Sequence, residues 1–367
     1  MKPYPIFLYL VNAIVILLMA SCKNEINNTG DLPLLELENL ELISTPYSIV
    51  RVIPLETKEN NLLGDYLTVK FSETTFFIFD ENARDAIHTF NLSGGYQGRA
   101  AETGEGPGKL ASINDFIPST DGLDILSVQG DQAELIRLDN NGEIRGKVDL
   151  DYFGTSFEKL PGNQYVASGS YNLPIVENRL AIIDGQGKTV KAFLPNIHEI
   201  LPMQEKNFYT ANETVFFHEI YNNTTYKVRE DSLAPQYQFD FGKYSIPERF
   251  FEMDWMAGFE MLNQQGFAAI SQYWENEKKA FFGVDVQVNG ERKNHQVILD
   301  KRNGQAGKRI TSASELTAFY YPVGLMDDFL VFIAQAPDFL KIDADQLPDN
   351  GLVIKEEDNP VLLFVEF

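Results

Sequence analysis

The chain has 367 residues, with 30 Lys and Arg against 53 Asp and Glu, a formal charge of −23, four His and a single Cys. A balance this acidic, with no Lys/Arg cluster, excludes a nucleic-acid partner and an electrostatic hold on an anionic bilayer, since both need grouped cations. One Cys excludes a disulfide framework, an iron–sulfur cluster and a zinc ribbon, while 27 Phe, 16 Tyr and 2 Trp supply material for a large core.

The chain opens with Lys2, an apolar run from Ile6 to Leu18 broken only by Asn12, then Met19, Ala20 and Ser21. This is the layout of a secretory signal; a spanning helix needs about 20 apolar residues and a stop-transfer flank. An uncleaved N-terminal anchor is the competing reading. Cys22, directly after the small residues, resembles the cysteine of the bacterial lipobox, where the thiol is diacylated and becomes the mature N-terminus. Met19 stands where that pattern usually has Leu or Val. Two or three acyl chains give stable anchoring. Residues 1–21 then form a lipoprotein signal peptide. Residues 22–41, polar and turn-rich at their start, form a flexible tether. Residues 42–367 form the folded domain.

From there the dominant signal is the short strand, four to seven apolar or alternating residues bounded by Gly, Asn and Asp. In chain order the sequence predicts strands over 75–80 and 86–90, 124–128 and 134–138, 164–167 and 179–183, 215–218 and 225–228, 280–284 and 296–299, and 329–333 and 361–365. The pairs recur at a loose period of about 40–50 residues, with one longer interval, which is the signature of a β-propeller. Most units carry a tight polar turn after the second strand: Asn91 to Gly94, Asp139 to Gly142, Asp184 to Gly187, Asp300 to Gly304. The fold expected is all-β, a six-bladed β-propeller with a short helical insertion in the fifth unit, between Ile246 and Leu262. Closing the ring requires the two termini to share a blade, so residues 49–55 should complete the blade that holds 329–367.

Several motifs invite chemistry and fail on spacing. Gly104-Glu105-Gly106-Pro107-Gly108-Lys109 has Thr103 where a phosphate loop needs its first Gly and Leu110 where it needs a hydroxyl; a glycine-rich loop between blades is the better reading. His88, His198, His218 and His295 fall in four different units without ligand spacing, so no metal site and no cofactor is expected. Adjacent acids such as Glu356-Glu357 and Asp327-Asp328 are expected by chance among 53 acids. No G-x-S-x-G elbow is present. Asp231-Ser232-Leu233 resembles a short bacterial O-glycosylation motif. The remaining lead is aromatic: Trp255 beside Asp254, and Tyr273-Trp274, whose faces with adjacent polar groups suit sugar rings or peptide side chains. Packing of Trp255 onto the insertion and of Trp274 into a hairpin is the competing reading. Arg99 and Lys109 complete the candidate ligand contacts.

Together, Val52-Ile53-Pro54-Leu55-Glu56-Thr57, Leu62-Leu63-Gly64, Phe90-Asn91-Leu92-Ser93-Gly94-Gly95, Gly104 to Gly108, Val297 to Gly304 and Ile354 to Val361 resemble the six-bladed β-propeller lipoproteins of Bacteroidota. That family often has Gly-Pro-Gly-Glu where this chain has Gly106-Pro107-Gly108-Lys109. The resemblance implies a fold and an envelope location, not a reaction. The function expected is a lipoprotein of the outer membrane, reaching the membrane through its lipid anchor only. It would act as a non-enzymatic binding or interaction module for a protein or oligosaccharide ligand. The alternative is a lyase or hydrolase with a polar or metal site at the central channel.

Overall fold

The computed structural model describes residues 32–200, 205–211, 213–312, 317–320, 322–348 and 351–366. The expected signal peptide and Cys22 lie outside the described residues. The rest forms six antiparallel sheets. Blade 1 is Leu67–Phe71, Thr75–Asp80, Ala86–Asn91 and Tyr96–Glu102; blade 2 is Asp115–Ser119, Gly122–Gln129, Gln132–Asp139 and Ile144–Leu150. Blade 3 is Ser156–Leu160, Gln164–Ser168, Asn178–Ile183 and Thr189–Pro195; blade 4 is Phe208–Ala211, Thr214–Phe217, Thr224–Val228 and Leu233–Asp240. Blade 5 is Phe267–Glu275, Lys279–Val288, Glu291–Asp300 and Gln305–Ser312. Blade 6 takes Pro322–Met326, Phe329–Ala334 and Val361–Glu366 from the C-terminal part and Ile49–Pro54 from the N-terminal part. The first strand of each blade neighbours the first strands of the blades on either side, blade 6 meeting blade 1, so six inner strands ring a central channel.

The core is distributed. Apolar side chains on the two faces of each sheet cannot meet across a polar channel, so they pack against the neighbouring sheet. Phe79, Ile87 and Phe116 join blades 1 and 2; Phe157, Tyr165 and Leu126 join blades 2 and 3; Val166, Ile182 and Phe217 join blades 3 and 4. The series continues with Phe239, Tyr273 and Phe282, then Phe281, Phe332 and Leu363, and closes with Phe76, Val331 and Phe364 between blades 6 and 1.

Each predicted strand pair is the second and third strand of a blade, so the repeat lies one strand later than the blade itself begins. The polar turns join third to fourth strands: the Gly94, Gly142, Gly187 and Gly304 amides donate to the carbonyls of Asn91, Asp139, Asp184 and Asp300 at 2.8–3.0 Å. Asp139 Oδ1 and Asp184 Oδ1 also accept from backbone amides two and four residues on, at 2.9–3.0 Å. Each closing glycine has φ between +69° and +85°, where a Cβ is strained.

Ring closure is as expected: Ile49–Pro54 runs antiparallel to Val361–Glu366, with Ile53 opposite Leu362 and Val52 opposite Leu363. The tether ends earlier than the sequence suggested. Leu34–Glu36 adds a parallel fifth strand to the edge of blade 4, and Glu41–Leu42 does the same on blade 5. Leu35 and Leu37 are buried against Phe239 and Phe241; their apolar character, submerged in a polar stretch, outweighs it. The N-terminal segment is therefore a belt over the rims of blades 4, 5 and 6.

The helical insertion lies between the last strand of blade 4 and the first of blade 5. It comprises a 3₁₀ turn at Glu248–Glu252 and an α-helix at Trp255–Gln265, which starts where Asp254 caps the Met256 and Ala257 amides. Phe250 and Leu262 bury themselves against Tyr171 and Tyr221 from blade 3 and blade 4 connections.

Candidate functional site

Because strands alternate in direction, connections fall at two ends of the ring. At one end the inner strands begin; it gathers the links between blades, the loops between second and third strands, and the insertion. Among the described residues the other end holds short turns, with a cleft of about 320 Å³ between those of blades 3 and 4, lined among others by Pro161, Glu213, Lys227 and Arg229. Among the described residues, the exposed large apolar side chains within connections are Leu62, Tyr66, Ile175, Ile197, Trp255, Met256, Leu340, Leu352 and Val353, and all belong to the first end. The other exposed large apolar residues among the described residues lie on fourth strands of the blades or on the N-terminal strands added beside them.

At the first end a cavity of about 240 Å³ opens into the channel, lined by Thr68, Glu81, Arg84, Asn114, Thr155, Glu205 and Lys206. Blades 1 to 4 each contribute, mostly through the residue at or just before the start of an inner strand. Glu81 accepts from Thr68 Oγ1 at 2.6 Å and pairs with Arg84 at 3.0 Å and Lys206 at 3.3 Å. Deeper in the channel, Lys70 Nζ lies 3.0 Å from Asp115 Oδ1, and Lys206 Nζ 3.7 Å from the same oxygen. Asp115 is buried and also accepts from the Phe157 amide of blade 3 at 3.1 Å. Burial pushes its pKa up, but Lys70, Lys206 and that amide outweigh it, leaving the carboxyl below its ordinary range. Next to it, on the inner strand of blade 3, Glu158 is shifted the other way: burial raises it more than Lys70 lowers it.

Glu205 is the most perturbed carboxyl at the cavity. Enclosure by protein, aided by the nearby Glu219 charge, raises its pKa to about 8, against hydrogen bonds that favour the anion. Those bonds reach Oε2 from the Ile220 amide at 2.7 Å and from Asn207 Nδ2 at 3.2 Å, whereas Oε1 has only Ser170 Oγ at 3.4 Å. At neutral pH Glu205 is therefore mostly protonated and able to donate. A carboxyl kept neutral beside fixed cations marks a candidate site.

The residues singled out by sequence divide between the two ends. Trp255 is 45% exposed on the loop-rich end, with Asp254 capping its helix. Arg99 pairs with Asp85 and Glu102, and Lys109 with Glu102, at the rim of blade 1. The glycine-loop reading is supported by positive φ at Gly104, Gly106 and Gly108. Tyr273 is a correction: it is 1% exposed, stacks on Phe282 and donates to Glu275, so it belongs to the core. Trp274 is half-buried against Tyr209 and Phe281, far along its inner strand from the cavity. Trp255 and Trp274, close in sequence, sit on different elements at opposite ends of the ring. The four His are dispersed: His88 faces Tyr96, His198 lies tilted against Phe251, and burial lowers His218 and His295 to about 4. Among the described residues no three His, Cys, Asp or Glu side chains are grouped to hold a metal ion.

Sequence reasoning missed Thr68, Lys70, Glu81, Arg84, Asn114, Asp115, Thr155, Glu205 and Lys206. They are spread over some 140 positions, and the one available signal was a polar residue recurring at the entry to successive inner strands.

Six sheets, a ring closed by both termini and a polar cavity at the channel mouth define a six-bladed β-propeller. The chain belongs to the family described as "Domain of unknown function (DUF4934)", whose family model matches residues 35–366. Two solved structures share its fold. One, a Bacteroides fragilis protein described as exported, is 17% identical with a TM-score of 0.71, over 92% of this chain and 99% of that one. The other, a DUF4221 family member from Bacteroides vulgatus, is 11% identical with a TM-score of 0.56, over 88% and 98%. At these identities the likeness shows the fold alone. No curated protein matches the sequence.

Proposed function

We propose that the protein is an outer-membrane lipoprotein, anchored through Cys22, that acts as a non-enzymatic binding module for a protein or glycan ligand met at the loop-rich end of the propeller. The observation that carries this reading is the asymmetry of the two ends. Among the described residues, nine exposed large apolar side chains share the end at which the polar cavity opens, whereas the other end presents short turns with a polar cleft of about 320 Å³ between those of blades 3 and 4 and no exposed large apolar side chain within them. Exposed apolar groups cost solubility, so their concentration around a concave polar site is the pattern of a binding face. The cavity is smaller than the usual range of roughly 300–1,000 Å³ for a whole ligand. It holds one residue of a longer ligand, with the remainder lying on the loops. The envelope location draws on the signal-like N-terminus and on the exported structural relative.

The anchor is tested by fractionation: Cys22→Ala should move the protein out of the membrane fraction. The binding face is tested by screening oligosaccharides and peptides against wild type and the double variant Trp255→Ser, Met256→Ser, with Val190→Ser on the rim of blade 3 as control. Loss with the first and retention with the second supports the reading; equal binding by all three overturns it. Assay of any captured ligand for cleavage separates binding from the lyase or hydrolase alternative, which draws on Glu205 as a protonated carboxyl.

A further inference from the structure

The cavity at the channel mouth has a chemistry of its own, and this inference rests on the binding reading just given. Three cations, Lys70, Arg84 and Lys206, crowd two carboxyl groups, Glu81 and Asp115. The carboxylates are heavily subscribed: Asp115 serves two backbone amides besides its lysines, and Glu81 serves Thr68, Arg84 and Lys206. The donors are not. Arg84 uses one N–H on Glu81 and one on the Ile113 carbonyl, out of five it carries. Asn114 spends its Oδ1 on the Val128 amide, which leaves its amide N–H₂ at the cavity wall outside any contact among the described residues. Thr68 and Thr155 line the same wall, their hydroxyls donating to Glu81 at 2.6 Å and to the Ser168 carbonyl at 3.3 Å and so left to accept. The site thus offers spare N–H donors on Arg84 and Asn114, positive charge and hydroxyl acceptors inside a chain of charge −23.

We infer that the channel mouth binds the carboxylate of a small polyhydroxylated acid, a sugar acid in chemical class, with the Arg84 guanidinium and the Asn114 amide meeting the carboxylate and the threonine hydroxyls meeting the ring. A planar guanidinium matches a carboxylate in a forked geometry. A volume of about 240 Å³ suits a single ring rather than a chain.

Glu205 gives this site a dependence on pH. While protonated it leaves the cavity positive and can donate to the ligand; ionised, it sets a negative charge against the incoming carboxylate. The charged and titratable groups around it are Lys206 on its own segment, Glu219 with its partner Arg179, and Tyr171 and Tyr221, whose own titrations lie well above this range.

The test is calorimetric titration of the full-length protein with glucuronate and galacturonate, their methyl esters, the parent neutral sugars, and a short peptide with a free C-terminus. At pH 6.5 the sugar acid should bind roughly tenfold or more above its ester, a difference of about 1.4 kcal/mol. Arg84→Gln should erase that preference while the protein stays folded. Raising the pH from 6.5 to 9 should weaken acid binding in wild type and leave Glu205→Gln unchanged. Equal binding of acid and ester, or binding of the peptide alone, overturns the inference and leaves the binding reading standing. Absence of binding by every probe and by the wider screen overturns both.

Discussion

Arg179 of blade 3 and Glu219 of the blade 4 connection form a two-pronged pair, Nε to Oε2 at 2.9 Å and Nη2 to Oε1 at 3.0 Å, with Glu219 only 1% exposed. The Arg179 guanidinium also lies 4.4 Å from the centre of the Tyr171 ring, and Nη1 donates to the Pro195 carbonyl. The pair therefore locks two blades together beneath the insertion. Removing one partner strands a buried charge, which costs about 3–5 kcal/mol. Glu219→Ala should lower stability by that order in chemical denaturation, and Arg179→Met, Glu219→Leu together should lose less than Glu219→Ala alone.

Ring closure depends on the last strand. Val361, Leu362, Leu363, Phe364 and Val365 are fully buried, and the strand pairs on both sides, with Phe329–Ala334 and with Ile49–Pro54. Truncation after Pro360 should abolish cooperative thermal unfolding. The milder Leu363→Ala should cost about 2–5 kcal/mol, the range for emptying a buried leucine site. An unchanged melting temperature in the truncation would contradict closure by this strand.

Stability should fall on both sides of a mildly acidic optimum. His218 and His295, lowered to about 4 from 6.5, favour the fold above pH 6.5; that contribution is lost as pH falls from 6.5 towards 4. Glu205 has the opposite sign. Its folded pKa of about 8 exceeds the unfolded 4.5, so its contribution is complete below pH 4.5 and is lost as pH rises through 8. Above about pH 7.5 these two histidines are deprotonated in both states, and denaturation between there and about pH 9 should show a downward slope that Glu205→Gln flattens.

The two tryptophans should respond separately to a quencher. Trp255 is 45% exposed, whereas Trp274 is wedged between Tyr209 and Phe281. Iodide should quench one component in wild type, and Trp255→Phe should remove it. The same substitution on an exposed helix position should change stability by less than about 0.5 kcal/mol.

What the sequence made legible follows from burial. The second and third strands of every blade are covered on both faces and read as apolar runs, as in Thr75–Asp80 and Val361–Glu366. Inner strands escaped notice because they wet one face in the channel: Leu67–Phe71 alternates Thr68 and Lys70 with apolar neighbours over only five residues. Outer strands such as Thr189–Pro195 are mostly exposed and carry little hydrophobic signal. The lining of the mouth was illegible for a different reason. Asp115, Glu205 and Lys206 gain meaning only when the ring brings distant strand entries together, whereas Trp255 and Trp274, close in sequence, are parted by it.

The belt over blades 4, 5 and 6 has a mechanical consequence. A pull on the chain ahead of Leu34 first meets the parallel contacts of Leu34–Glu36, then those of Glu41–Leu42 with the Ile43 amide on the Lys308 carbonyl, and then Tyr47, lodged against Phe319 and Phe332. Only after these three holds have yielded does tension reach Ile49–Pro54, the strand that keeps the ring shut. The rim segments thus act as successive strain relief, letting the chain be tugged from its N-terminal side while the propeller stays closed.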